Sequence, residues 1–182
     1  MKTISSRTLY STFLVALSCA AATVGCNSAT ESPGVASSQA TNVDASLYQL
    51  EDEPDGAVGV IAARESADDG APIVLIGRIG GSARPWVDGR AAFTLLDASM
   101  AVVANGESSG ETELCLDDCC ASDRQKCTTL VKVVDAQGKL VPVDSRELLG
   151  LKESDLVVVQ GTAQKDEAGN FVMLAKGVYV RN

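Results

Sequence analysis

Apolar and polar residues alternate in five short stretches in the second half of the chain. In the first stretch Ile73, Leu75 and Ile79 fall on one face, and in the second Phe93 and Leu95 do so. A period of two residues is typical of β-strands that bury one face. The pattern therefore predicts five strands, at residues 73–79, 91–97, 130–134, 156–163 and 171–180.

Two short helices are predicted around these strands. Residues 57–66 contain good helix formers and end before the turn sequence Asp68-Asp69-Gly70, which places one helix ahead of the first strand. Residues 145–150 form a capped stretch closed by glycine, which places the other helix between the third and fourth strands. The order is therefore three strands, a short helix and two strands.

This order is typical of the OB-fold, a small closed Greek-key barrel. Gly77, Gly80 and Gly81 allow the first strand to bend around both halves of such a barrel. We predict an all-β domain with one or two short helices at residues 55–182. It is an OB-fold-like barrel with a cysteine-rich insertion at 100–128, and a plain β-sandwich is the alternative.

The beginning of the chain has the pattern of a secretory signal. Its only charges up to residue 25 are positive, at Lys2 and Arg7, and an uncharged, largely apolar stretch follows at residues 8–25. The strongly apolar part is too short to cross a bilayer as a stable helix. We therefore predict a signal peptide at residues 1–25.

The end of this stretch indicates a lipid anchor. Thr23-Val24-Gly25-Cys26 resembles a lipobox, in which a small residue precedes the cysteine that is acylated, although the usual lipobox has Leu where Thr23 stands. Cys19 is the rival site, and ordinary cleavage near residues 20–22 would release a soluble protein. We predict acylation at Cys26 and an exported chain, anchored to a membrane and facing the periplasm or the cell exterior.

Residues 26–54 are predicted to be the lipidated cysteine and a flexible linker. The stretch is rich in Ser, Ala, Thr, Asp and Glu and has no apolar periodicity. Such segments bury too little surface to offset the entropy of ordering.

Charge and composition exclude several classes of function. The net charge is −9, and cleavage after residue 25 would remove two basic residues and no acidic one, leaving −11. Such a surface repels phosphate backbones, so we expect no nucleic-acid partner. The chain contains no histidine, the side chain that titrates near neutrality without perturbation. We find no catalytic constellation and expect no enzyme activity.

Four cysteines lie in the insertion, at Cys115, Cys119, Cys120 and Cys127. In an oxidising compartment an even number of cysteines favours disulfides. Adjacent cysteines rarely bond to each other, so we expect Cys119 and Cys120 each to pair with one of the other two. A four-thiolate metal site, with zinc as the first candidate, and a redox-active thiol pair are the alternatives.

One aromatic residue marks a possible ligand face. Trp86 stands in the connection between the first two strands, which often borders the ligand face of an OB-fold. Arg78, Arg84 and Arg90 lie near it in sequence and would give the face a local positive charge; the alternative is that they are only exposed positions on the strands and the turn. The alternative is that Trp86 packs over the end of the barrel as an anchor.

The chain as a whole resembles a family of uncharacterised lipoproteins frequent in planctomycete bacteria. The segments that carry the resemblance are Gly77-Arg78-Ile79-Gly80-Gly81, Asp88-Gly89-Arg90-Ala91-Ala92-Phe93, Cys119-Cys120 and Val157-Val158-Val159-Gln160-Gly161-Thr162-Ala163. The resemblance implies an architecture and no particular chemistry. Residues 159–161 and 171–176 are also similar to the periplasmic haem chaperone of cytochrome c maturation. That chaperone attaches haem through a histidine, which is missing here, and we expect no cofactor.

Together these features predict a membrane-tethered, non-enzymatic binding or scaffold lipoprotein of the periplasm or cell envelope. Its expected partners are the membrane, through the lipid anchor, and a protein or small molecule of the envelope. The alternative function is metal or thiol handling by the cysteine cluster.

Overall fold

The computed structural model describes residues 42–103, 113–115 and 121–181, with the backbone alone for residues 101–103, 113–115 and 121. The described strands are β1 (Val58–Gly59), β2 (Pro72–Ile79), β3 (Ala92–Asp97), β4 (Ala101–Val103), β5 (Glu113–Cys115), β6 (Thr128–Val133), β7 (Leu156–Lys165) and β8 (Phe171–Arg181). The described α-helices are α1 (Val60–Ser66), α2 (Ala121–Cys127) and α3 (Ser145–Leu149), and a 3-10 helix spans Ala45–Leu47.

Five of these strands close into a barrel. Their order is β2–β3–β6–β8–β7, and β7 pairs back with β2. The β6–β8 pair is parallel, and the other four pairs are antiparallel. The predicted all-β, OB-fold-like barrel is therefore confirmed, and the β-sandwich alternative is wrong because the sheet closes on itself.

The barrel interior is filled by one side of each strand, as the period of two residues requires. Each barrel strand contributes fully buried apolar side chains, among them Leu75, Phe93, Val131, Val157 and Met173. Burying a side chain of this kind stabilises the folded chain by about 1.5–3 kcal/mol. The core thus follows directly from the alternation in the sequence.

The predicted strands and the second predicted helix lie within two residues of the observed elements, and the first predicted helix begins three residues before α1. Helix α3 begins after Asp144, whose carboxylate accepts a hydrogen bond from the Arg146 N–H, and it ends at Gly150 in the left-handed conformation. The predicted helix at 57–66 is present as α1 over its last seven residues. Within the described part of the insertion, the two-stranded parallel sheet β4–β5 and helix α2 were not predicted.

Two glycines let barrel strands approach each other closely. A Cβ atom at Gly77 would meet the backbone of Leu96 in β3, and one at Gly161 would meet the backbone of Leu174 in β8. Gly161 also follows a β-bulge, where the β7–β8 register shifts after Gln160. At Gly77, where a bend is predicted for the first strand, a side chain therefore has no room, and the same holds at Gly161 in β7.

The residues ahead of the barrel form a strap, which we define as residues 42–54. Tyr48 is buried and joins the barrel core. The Val178 N–H donates to the Tyr48 carbonyl at 2.8 Å, and the Leu50 N–H donates to the Val178 carbonyl at 2.9 Å. Arg181 forms an ion pair with Glu53.

The strap corrects the predicted domain boundary. A flexible linker up to residue 54 and a domain beginning at residue 55 are wrong for residues 42–54, because an aromatic side chain and backbone hydrogen bonds hold them on β8. The signal peptide at 1–25, the anchor at Cys26 and the linker at 27–41 lie outside the described residues. None of the described helices is long and apolar enough to span a membrane.

Candidate binding site

Trp86 packs as an anchor rather than standing free. It forms a β-bridge with Phe93, and the two rings lie with centroids 6.3 Å apart at an interplanar angle of 53°. The ring is half-buried against the barrel core. The guanidinium carbon of Arg146 lies 5.5 Å from the ring centroid on its open side, a cation–π contact.

Arg146 is held over Trp86 by two carboxylates. Its Nη2 atom lies 2.6 Å from Asp144 Oδ2 and 3.0 Å from Asp88 Oδ1. The hydrogen bonds from Arg146, outweighing partial burial, lower the pKa of Asp144 to about 2. The same pairing raises the pKa of Arg146. Because Arg146 on α3 pairs with Asp88 in the β2–β3 connection, the cluster forms a structural clasp between the two.

The three arginines predicted around Trp86 take other positions. Arg78, Arg84 and Arg90 are all exposed, on β2 and on the connection that follows it. The cation–π contact with Trp86 is made by Arg146, which lies 60 positions further along the chain and was not predicted. A ligand-binding role for the three arginines stays a prediction.

Cys127 is a buried free thiol at the end of α2. Its Sγ atom donates to the Asp123 carbonyl at 3.1 Å and packs beside Leu96. Burial raises the pKa of Cys127, and the negative charges of Asp97 and Asp123 raise it further. The thiolate that a metal ion or a redox reaction requires is therefore disfavoured at this position.

This finding corrects one part of the predicted disulfide pattern. No bridge to Cys127 is formed, because its sulfur is turned into the apolar cluster under α2. The side chains of Cys115, Cys119 and Cys120 lie outside the described residues, so pairing among them stays a prediction. The described residues contain no group of three or more Cys, Asp or Glu side chains arranged to hold a metal ion.

A concave site lies on the outer wall of the barrel, and we call it the groove. It has a volume of about 760 Å³. Its floor is formed by β2, β7 and β8, and its side wall by the residues on either side of α1. The lining residues are Gly56, Val58, Ser66, Ala67, Asp68, Ala71, Pro72, Ile73, Val74, Gln160, Gly161, Thr162 and Lys176.

The groove exists because neither the segment before α1 nor the segment after it pairs with the first residues of β2. Strand β1 pairs with β2 only through Val58 and Gly59, opposite Leu75 and Ile76. Before β1 the chain turns away at Gly56, where φ is +78°. After α1 a turn at residues 68–71 leads the chain into the start of β2. Residues 72–74 of β2 are left without a described strand beside them on this side.

The lining combines apolar surface with a few polar groups. Val58, Val74 and Pro72 are apolar, while Gln160 and Thr162 present polar groups from the outward face of β7. One cation, Lys176, and one carboxylate, Asp68, complete the lining. A volume between about 300 and 1,000 Å³ with this mixture is typical of ligand sites. The sequence signal for it was weak, since outward-facing positions of a strand look alike whether or not a groove covers them.

A smaller pocket of about 250 Å³ lies between α1, α2 and the β3–β6 surface. Several of its polar groups are already bonded within the chain: Arg64 donates to the Thr128 carbonyl, and the Thr128 hydroxyl donates to the Arg124 carbonyl. This leaves fewer groups for a ligand than the groove offers. The sequence matches no protein-family model and no curated protein.

Proposed function

We propose that this chain is an exported, lipid-anchored, non-enzymatic binding or scaffold protein of the cell envelope, and that the groove holds its ligand. The observation that carries the proposal is the groove itself, about 760 Å³ of mixed apolar and polar surface on a closed barrel. The signal sequence and the lipobox-like Thr23-Val24-Gly25-Cys26 support the location.

The chemistry of the lining supports binding rather than catalysis. Acid–base catalysis needs a proton donor and acceptor whose pKa values are matched to the working pH. The lining offers one carboxylate, Asp68, and one amine, Lys176, and the ion pairs of the described residues do not join the two. Metal or thiol handling by the cysteine cluster is the weaker proposal, because the Cys127 thiol is buried and its pKa is raised.

The binding proposal is tested with a photoreactive amino acid placed on the groove floor at Gln160, in the cells that make the protein. The matched control carries it at Gln137, an exposed turn position outside the groove lining. We expect one defined adduct from position 160, lost when Thr162→Trp fills the groove, and none from position 137. Adducts that are equal at both positions, or absent from both, would reject the groove as the ligand site.

The anchor is tested separately by labelling cells with a clickable fatty acid. We expect the wild-type chain to be labelled and Cys26→Ala to remain unlabelled. Labelling of Cys26→Ala together with loss of label in Cys19→Ala would move the anchor to the rival site.

A further inference from the structure

We propose that the ligand of the groove is an extended peptide, which adds to the edge of β2 as a short parallel strand and places a basic side chain near Asp68. The inference rests on the proposed function, since it names the class of ligand for the same groove. It follows from the directions of the backbone hydrogen-bonding groups at residues 72–74.

Alternate residues of β2 direct their backbone groups to opposite sides. Ala71 accepts from Ala163 at 2.9 Å and Ile79 donates to Asp155 at 2.9 Å, so the odd-numbered residues bond towards β7. The even-numbered residues therefore point the other way, and the Gly80 N–H accordingly donates to Thr94 of β3. The Pro72 carbonyl and the Val74 N–H thus point into the groove, and no described residue bonds the Val74 N–H.

The free pair of groups fits one residue of a parallel strand. In a parallel ladder, a residue opposite Ile73 donates its N–H to the Pro72 carbonyl and accepts from the Val74 N–H. Strand β1 uses this parallel register two residues further on, with Val58 opposite Leu75. It stops short of Ile73 because the chain turns away at Gly56. An added peptide would continue a ladder that the chain itself begins.

An antiparallel peptide fits less well. An antiparallel partner of Pro72 finds no N–H to accept, because proline has none. An antiparallel partner of Val74 would compete with β1 for the Val74 carbonyl, which the parallel register of β1 already engages. A single parallel residue opposite Ile73 makes both main-chain hydrogen bonds. An antiparallel residue opposite Pro72 or opposite Val74 makes one bond and leaves its other backbone group without a free partner on β2.

The direction also determines where the ends of the peptide lie. A strand parallel to β2 enters beside the turn at residues 68–71 and runs towards Gly56 and Val58, which block further pairing. Asp68 lies at the entry and lines the groove. The wall is acidic beyond it, because the exposed Glu65 and Asp55 flank the lining residues Ser66 and Gly56 in the chain.

The charges favour a cationic residue at the start of the peptide. The single cation of the lining, Lys176, stands on β8 at the far side of the floor. The net charge of −9 adds long-range attraction for a basic peptide. Apolar side chains further along the peptide would contact Val58, which is 38% exposed, and Val74. This is recognition by strand addition, in which backbone bonds hold the ligand and side chains select it.

The test uses the whole processed chain with Cys26→Ser, labelled with ¹⁵N, and the capped peptide acetyl-Lys-Val-Thr-Val-amide as probe. We expect the Val74 amide resonance to shift and its hydrogen exchange to slow on titration. The same peptide with N-methylated backbone nitrogens should leave both unchanged. With Glu in place of Lys the peptide should bind about threefold more weakly, and Asp68→Asn should remove that preference.

The outcomes separate this inference from the proposed function. Equal binding of the N-methylated peptide, or shifts that spare Val74, would overturn strand addition. If the probe fails while the photoreactive residue at position 160 still captures a ligand, the groove is the binding site and its ligand is not a strand. If the probe binds as expected but nothing is captured at position 160 in cells, the groove recognises strands and the proposed cellular role is wrong.

Discussion

The Asp97 Oδ2 atom lies 2.9 Å from the backbone nitrogen of Ile61, so a carboxylate at the end of β3 caps the first turn of α1. The other oxygen accepts from the N–H and the hydroxyl of Ser99, at 2.9 and 2.6 Å. Burial alone would raise the pKa of Asp97, which is 5% exposed, but these hydrogen bonds outweigh it and lower the pKa. Gly59 makes the approach possible, since a Cβ there would lie 2.6 Å from Oδ2.

Removing this charge should destabilise the fold in a pH-dependent way. We expect Asp97→Asn to lower the free energy of unfolding by about 1.5–3 kcal/mol at pH 7, because hydrogen bonds to a charged group are lost. The folded-state pKa lies below the unfolded value of about 3.9. The contribution is therefore present above that value and is lost as the pH falls through the folded-state pKa.

Urea titrations at pH 7 and pH 3 measure this difference. The exposed Asp55→Asn serves as the control and should match the wild type at both values. If Asp97→Asn lowered the free energy of unfolding, relative to the wild type, by as much at pH 3 as at pH 7, the carboxylate cap would be contradicted.

The strap should contribute to stability through Tyr48. We expect Tyr48→Ala to cost about 3 kcal/mol, since it removes a buried aromatic side chain from the core. The neighbouring Leu47 is 69% exposed, and Leu47→Ala should stay within about 0.5 kcal/mol of the wild type. Thermal unfolding of the two variants makes the comparison. Equal midpoints would mean that the strap does not hold the barrel.

The clasp over Trp86 can be followed by fluorescence, because the chain contains one tryptophan. Arg146→Ala should shift the emission of Trp86 to longer wavelength, since it uncovers the ring face and admits water. The predicted neighbours Arg84 and Arg90 make no described contact with that ring, so their alanine variants should leave the spectrum unchanged. If the alanine variants of Arg84 and Arg90 shifted the emission of Trp86 as far as Arg146→Ala does, these two arginines would lie against the ring, as the sequence predicted.

The Cys127 thiol should resist modification in the folded protein. It is 3% exposed and its pKa is raised, so both access and the thiolate form are limited. We expect maleimide to label Cys127 only after unfolding, as peptide mapping by mass spectrometry would show. Mapping under non-reducing conditions should find Cys127 unlinked, and a bridge from Cys127 to another cysteine would contradict the structure.

The barrel was predictable because each of its strands repeats a local rule. In β2 and β6 the buried residues recur at every second position, so short stretches of sequence suffice to locate them. Helix α3 was predictable for a similar reason, since Asp144 and Gly150 mark its ends within the chain. Both signals can be recognised in the sequence because strand alternation and helix capping depend on residues that are close together in the chain.

The strap and the site depended on contacts between residues that are far apart in sequence. Tyr48 is a single aromatic residue in a polar stretch, and its burial requires the end of β8, about 130 positions later. Arg146 reaches Trp86 only once α3 has packed against the β2–β3 connection. The groove arises because the chain turns away from the edge of β2 near Gly56 and Asp68. The alternation of apolar and polar residues does not indicate where such turns occur.

The strap also gives the barrel a direction of mechanical weakness. Every barrel strand follows the strap in the chain, so a pull from the N-terminal side loads the strap before it loads any barrel strand. Its first deep attachments are the Tyr48 ring and the backbone bonds to Val178, which would break before β7 and β8 separate. Tension would thus detach the strap from β8, and the closed barrel that carries the groove would keep its shape.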